Sequence, residues 1–111
     1  MSRYMLIYHG KATDPSQMSP EDAAKVMEGW RTWMGAVGPA LVDVGTPFGG
    51  GTSVVDDGSS ADAIELSGYS IVEASSLAEA RTLAEGHPFL SEGKGSYAVE
   101  VYELLPVPFQ A

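Results

Sequence analysis

Two helix-start signals, Ser19-Pro20-Glu21-Asp22 and Ser76-Leu77-Ala78-Glu79, each lie between runs of strand-forming residues, and this alternation constrains the fold more than any other feature of the chain. In the first signal, Ser19 caps free backbone N–H groups and Pro20 suits the first helical position. Glu21 and Asp22 complement the helix dipole. Apolar residues then recur at Ala23, Val26, Met27, Trp30, Met34 and Val37, with Trp33 beside them, until Gly38-Pro39 stops the helix. This pattern predicts Trp30 in the core and Trp33, off the strict stripe, at the border of a cleft. The second signal is a capping box. It starts a helix with Leu77, Ala80, Leu83 and Ala84 on one face, ended by Gly86.

The strand candidates are residues 3–9, 41–48, 69–74 (opened by Gly68) and 96–105. Pro47 marks the second as an edge or a strand end. Between the second and third, Gly49-Gly50-Gly51 is a flexible joint. Thr52-Ser53-Val54-Val55, a turn over Asp56-Asp57-Gly58-Ser59-Ser60 and a return through residues 64–66 predict a hairpin-like excursion. Asp14-Pro15-Ser16 is a further turn, and Pro106 and Pro108 close the ordered chain.

The order β-α-β-hairpin-β-α-β predicts an α+β fold of the ferredoxin-like type, one domain over residues 1–111. It has a four-stranded antiparallel sheet with both helices on one face. Strand alternation places bulky apolar groups on both sheet faces: Tyr4, Leu6 and Tyr8 against Met5, Ile7 and His9, and likewise along residues 97–102. Two helices cover one face only. The other calls for a second copy, so a homodimer built through the sheet faces is expected.

Composition narrows the function classes. With 15 acidic and 6 basic side chains the net charge is −9, and the cations are scattered, so phosphate backbones and anionic membranes are poor partners. The chain has no cysteine, which removes disulfides, thiolate metal ligands and thiol nucleophiles. No apolar run is long enough to span a membrane or to form the core of a signal peptide, and the expected location is the cytoplasm. The glycine run is not followed by the lysine and hydroxyl pattern of a phosphate loop, and the Gly-x-Ser-x-Gly elbow is missing. No cofactor or metal is called for.

The residues suited to chemistry are few. The two histidines, His9 and His87, both end secondary-structure elements. The plain alternatives are a strand-end residue for His9 and a helix C-terminal cation for His87. Asp43 interrupts an apolar strand and faces away from Val42 and Val44, toward solvent or a cavity. A carboxylate near an imidazole makes a general acid/base pair. Glu73 and Glu100 pose the same question on strands that read as buried on both sides.

Several segments resemble the YCII-related (YciI-like) domain family, which includes the DGPF subgroup: Tyr4-Met5-Leu6-Ile7-Tyr8, Val42-Asp43-Val44-Gly45-Thr46-Pro47, Gly68-Tyr69-Ser70-Ile71-Val72-Glu73-Ala74 and Ala84-Glu85-Gly86-His87-Pro88-Phe89. The likeness covers about residues 3–105. It implies a ferredoxin-like subunit, a dimeric α/β barrel and a cleft between sheet and helices. Some relatives resemble cofactor-free lyases or dehydrochlorinases thought to use a histidine–aspartate pair, and DGPF relatives are linked to sigma-factor regulation. The first-helix histidine of the YciI type is missing from Gly29-Trp30-Arg31-Thr32-Trp33, and His87 stands where that type has aspartate before proline. His87-Pro88 matches the DGPF-like branch, although Gly45-Thr46-Pro47-Phe48 replaces the Asp-Gly-Pro-Phe run.

The expected function is therefore a cofactor-independent acid/base enzyme, lyase or dehydrochlorinase-like, acting on a small organic molecule. His87 and Asp43 would be catalytic, with Tyr8, His9, Trp30, Trp33 and Pro47 binding the substrate. The alternatives are a non-catalytic metabolite-binding or regulatory dimer and a cofactor-free monooxygenase of the dimeric barrel class.

Overall fold

The computed structural model describes residues 1–10, 18–90, 93 and 95–107. The turn expected at Asp14-Pro15-Ser16 and the closing Pro108 lie outside the described residues. The elements are β1 (Ser2–His9), α1 (Pro20–Val37), β2 (Leu41–Asp43), β3 (Thr52–Val54), β4 (Ser60–Asp62), β5 (Leu66–Ala74), α2 (Leu77–Glu85) and β6 (Ala98–Leu104). A four-stranded antiparallel sheet runs β2-β5-β1-β6, an order compatible with the ferredoxin-like fold.

Both helices begin where their caps predict. The Ser19 hydroxyl accepts the Asp22 N–H at 3.1 Å, and the Ser76 hydroxyl accepts the Glu79 N–H at 3.1 Å. The reciprocal half of the second box shifts by one residue: the Glu79 carboxylate accepts from the N–H and hydroxyl of Ser75 rather than from Ser76.

The core lies between helices and sheet. Tyr4, Leu6 and Tyr8 of β1 and Val72 and Ala74 of β5 meet Trp33 and Val37 of α1 and Ala80 and Ala84 of α2. Met5, Ile7, Tyr69 and Ile71 occupy the opposite, open face, half-buried, next to exposed Tyr102 and Leu104 of β6. The buried part of α1 is its C-terminal half, with Trp33 (3% exposed) in the core and Trp30 half-buried. This reverses the expectation for the two tryptophans. The helix is rolled so that Trp30, Trp33, Met34 and Val37 form the inward stripe, leaving Val26 and Met27 exposed.

Two expectations between β2 and β5 need correction. The second strand does not run through residue 48; it stops at Asp43, and Pro47 returns only as an isolated bridge to Gly68. The chain bends at Gly45, whose φ of +78° favours glycine and where a Cβ would stand 1.7 Å from the Tyr69 carbonyl oxygen. The excursion is a true hairpin, but β3 pairs with Ser60–Asp62 rather than with residues 64–66. A tight turn sets that register, with the Val55 N–H donating to the Ser59 carbonyl at 2.8 Å and Asp57 accepting from the Ser59 N–H.

Candidate functional site

After α2 the backbone turns so that His87 enters the space between α1 and the sheet. The turn is held by the His87 N–H on the Ala84 carbonyl and by the Leu90 N–H on the His87 carbonyl, each at 3.0 Å. Gly29 makes the close approach possible, since a Cβ there would lie 3.0 Å from the Pro88 side chain. His87 is only 2% exposed.

Aromatic rings enclose the imidazole. The Trp33 ring centroid lies 4.4 Å away at 63°, that of Trp30 at 4.5 Å and 88°, and that of Tyr8 at 4.5 Å and 35°. Phe89 continues the wall, 5.5 Å from Tyr8. Trp33 is anchored by its indole N–H, which donates to the Leu83 carbonyl at 2.9 Å and ties α1 to α2.

Hydrogen bonds define the protonation states in this cage. The Phe89 N–H donates to His87 Nδ1 at 3.0 Å, so Nδ1 is an acceptor and the neutral ring carries its proton on Nε2. Burial lowers the His87 pKa to about 4, which keeps the ring neutral near pH 7. The Ser70 hydroxyl donates to the Val44 carbonyl at 2.6 Å. Its one proton is thereby used, and Tyr8 donates its own to Ser70 Oγ. Burial pushes the Tyr8 phenol up to about 12, against a smaller lowering by the Ser70 hydrogen bond. The result is a one-way chain from Tyr8 through Ser70 to the backbone at the end of β2.

The structure thus brings together His87, Tyr8, Trp30 and Trp33. The helix-capping alternative for His87 does not fit a buried neutral ring. Asp43 is elsewhere: its exposed carboxylate accepts the Gly45 N–H at 2.8 Å, in a local turn. His9 ends β1 on the open sheet face, opposite to His87. Its side chain is 42% exposed, and its Nε2 lies 4.0 Å from Glu100, whose carboxylate also accepts the Tyr102 hydroxyl at 2.7 Å. Glu73 and Glu100 are half-exposed on that face. Pro47 lines a separate open cleft of about 580 Å³ formed by residues 47–51 and 63–66.

Sequence reasoning missed Ser70 and Phe89. Ser70 carries a readable signal, because it is a hydroxyl at an inward-facing position between Gly68 and Val72 of an otherwise apolar strand face. Phe89 acts through its backbone as well as its ring, and a backbone donor leaves no mark in residue type.

No curated protein matches the chain. The family model of the YCII-related domain matches residues 3–107, nearly the whole length, and the chain belongs to the YCII-related family.

Proposed function

We propose that this YCII-related protein is a cofactor-independent enzyme acting on a small organic molecule, of the lyase or dehydrochlorinase-like kind, with His87 in contact with the reacting group. One observation carries the reading. A buried imidazole is locked in one tautomer inside an aromatic wall drawn from β1, α1 and the turn after α2, with its other nitrogen unpartnered among the described residues. Packing alone does not call for a histidine there, since a phenylalanine would fill the cage without leaving a polar atom bare. Among the described residues no carboxylate bonds to the ring, so His87 works without the aspartate partner that the residue pattern suggests.

Turnover is tested by proton NMR in D2O, following deuterium uptake or halide elimination across a panel of small carbonyl compounds and chloroalkanes. The expected result is a substrate whose conversion falls about 100-fold in His87→Phe, the low end of acid/base effects. A substrate converted equally by His87→Phe contradicts the mechanism. Saturable binding with no conversion of any compound favours the binding module.

The proposal includes a cytoplasmic homodimer that covers the open sheet face. Support comes from Met5, Ile7, Tyr69, Ile71, Tyr102 and Leu104, an apolar set that no helix among the described residues reaches. Sedimentation equilibrium is expected to give twice the chain mass, and Ile7→Glu to give the monomer. A monomeric parent protein rules the dimer out, and cell fractionation tests the compartment.

A further inference from the structure

His87 Nε2 is the one buried side-chain nitrogen or oxygen without a hydrogen-bond partner among the described residues. Its surroundings decide what it can do. Nδ1 is occupied by the Phe89 N–H, so Nε2 bears the hydrogen and has no lone pair to offer. That excludes proton abstraction and metal ligation at this nitrogen in the tautomer that the Phe89 hydrogen bond assigns. The tryptophans leave the N–H no acceptor: Trp33 spends its own N–H on Leu83, and an indole N–H only donates. The Tyr8 hydroxyl is turned to Ser70. A bare N–H in such a place is costly unless something meets it.

The complement of a fixed neutral donor is an acceptor, and charge narrows which one. A cationic ligand gains nothing from a donor N–H. An anionic ligand is opposed by the net charge of −9, and among the described residues Arg31 and Arg81 pair with Glu28 and Glu85 on exposed helix surfaces rather than in the cage. What remains is a neutral oxygen on an apolar body, and of the aromatic wall the half-buried Trp30 and Phe89 are the rings open to a flat one. We infer that His87 Nε2–H is a hydrogen-bond donor for the carbonyl oxygen of an uncharged, planar organic ligand that enters beside the half-buried Trp30 and Phe89. This assignment rests on the enzyme reading only for the location of the site; it names the ligand class and makes His87 a donor rather than a base.

The test uses two probes of equal shape. Acetophenone carries the acceptor, and α-methylstyrene replaces its oxygen with CH2. Benzoate and phenyltrimethylammonium add the two charges. Binding is followed on the ¹⁵N-labelled protein through the two indole N–H signals and the His87 Nε2–H signal. Acetophenone is expected to bind about tenfold more tightly than α-methylstyrene, the worth of one neutral hydrogen bond, and more tightly than either charged probe. It should shift the Nε2–H signal, and α-methylstyrene should not. The preference is expected to vanish in His87→Phe and in His87→Asn, which keeps an acceptor near Phe89 N–H but lacks the distal donor. The titration of the parent protein stands even where a variant fails to fold. Equal binding of the two isosteres, preference for a charged probe, or no saturable shift with any probe overturns the inference. Acceptor-selective binding without turnover leaves it standing and sinks only the enzyme reading.

Discussion

The two histidines lie on opposite faces of one sheet, and their surroundings have little in common. His87 sits on the helix-covered face, 2% exposed, ringed by aromatics, and among the described residues its ring bonds only to a backbone N–H. His9 sits on the open face with its side chain 42% exposed and a carboxylate 4.0 Å away. The same residue type is thus a locked neutral donor in one place and an exposed neighbour of a carboxylate in the other. The difference comes from the layer above each: α1 and the turn after α2 cover the first, and among the described residues no element covers the second. A histidine's chemistry here follows from which sheet face its strand or turn delivers it to, not from its neighbours in sequence.

The contrast between faces can be broken most strongly at neighbouring β1 positions. Leu6 is 0% exposed, and Leu6→Ala is expected to cost about 4 kcal/mol, as large-to-small core changes do. Ile7→Ala, one residue along on the open face, is expected to cost about 1 kcal/mol in the monomer. Urea denaturation at protein concentrations dilute enough to dissociate the proposed dimer measures both. An equal cost for Ile7→Ala would mean that its face is as well covered as the core.

The next effect is in pH. The unfolded chain takes up a proton on this histidine near pH 6.5, whereas folded His87 does so only near pH 4. Acid therefore favours the unfolded chain. The stability linked to neutral His87 is complete above pH 6.5 and is lost as pH falls through 4, by roughly 3 kcal/mol in all. Subtracting the same urea series for His87→Phe isolates this component. An unchanged pH dependence in His87→Phe would place the histidine in solvent-like surroundings.

Ser70→Ala removes the acceptor of the Tyr8 hydroxyl and is expected to cost about 2 kcal/mol, the penalty of a buried donor left bare. A neutral outcome would show that Tyr8 finds another partner. At the small end, His9→Ala is expected to change stability by less than about 0.5 kcal/mol, as for exposed positions. A large loss there would remove the distinction between the faces.

Much of the fold is legible in residue order because its signals are local. Ser19 and Ser76 cap their helices through their own side chains, and the alternation of Tyr4, Leu6 and Tyr8 with Met5 and Ile7 assigns the two faces of β1 directly. The errors fall where a distant contact decides. β2 ends early because Gly45 must approach the Tyr69 backbone, a partner 24 positions further along the chain. Trp33 displaces Trp30 from the innermost place because Leu83 on α2 supplies its hydrogen-bond acceptor. The site divides the same way. His87 and its aromatic neighbours are recognisable as residue types, but the tautomer depends on a backbone N–H. The Asp43 pairing, plausible by residue type, gives way to a local turn with Gly45.

The central claim, that His87 is a buried neutral ring with its hydrogen on Nε2, is tested most directly by ¹⁵N NMR of the histidine-labelled protein, titrated from pH 8 downward. The account predicts a His87 signal pair of the Nε2–H tautomer that stays unchanged through pH 6.5 and moves only toward about pH 4. A His87 that titrates near pH 6.5, or that carries its proton on Nδ1, would contradict it.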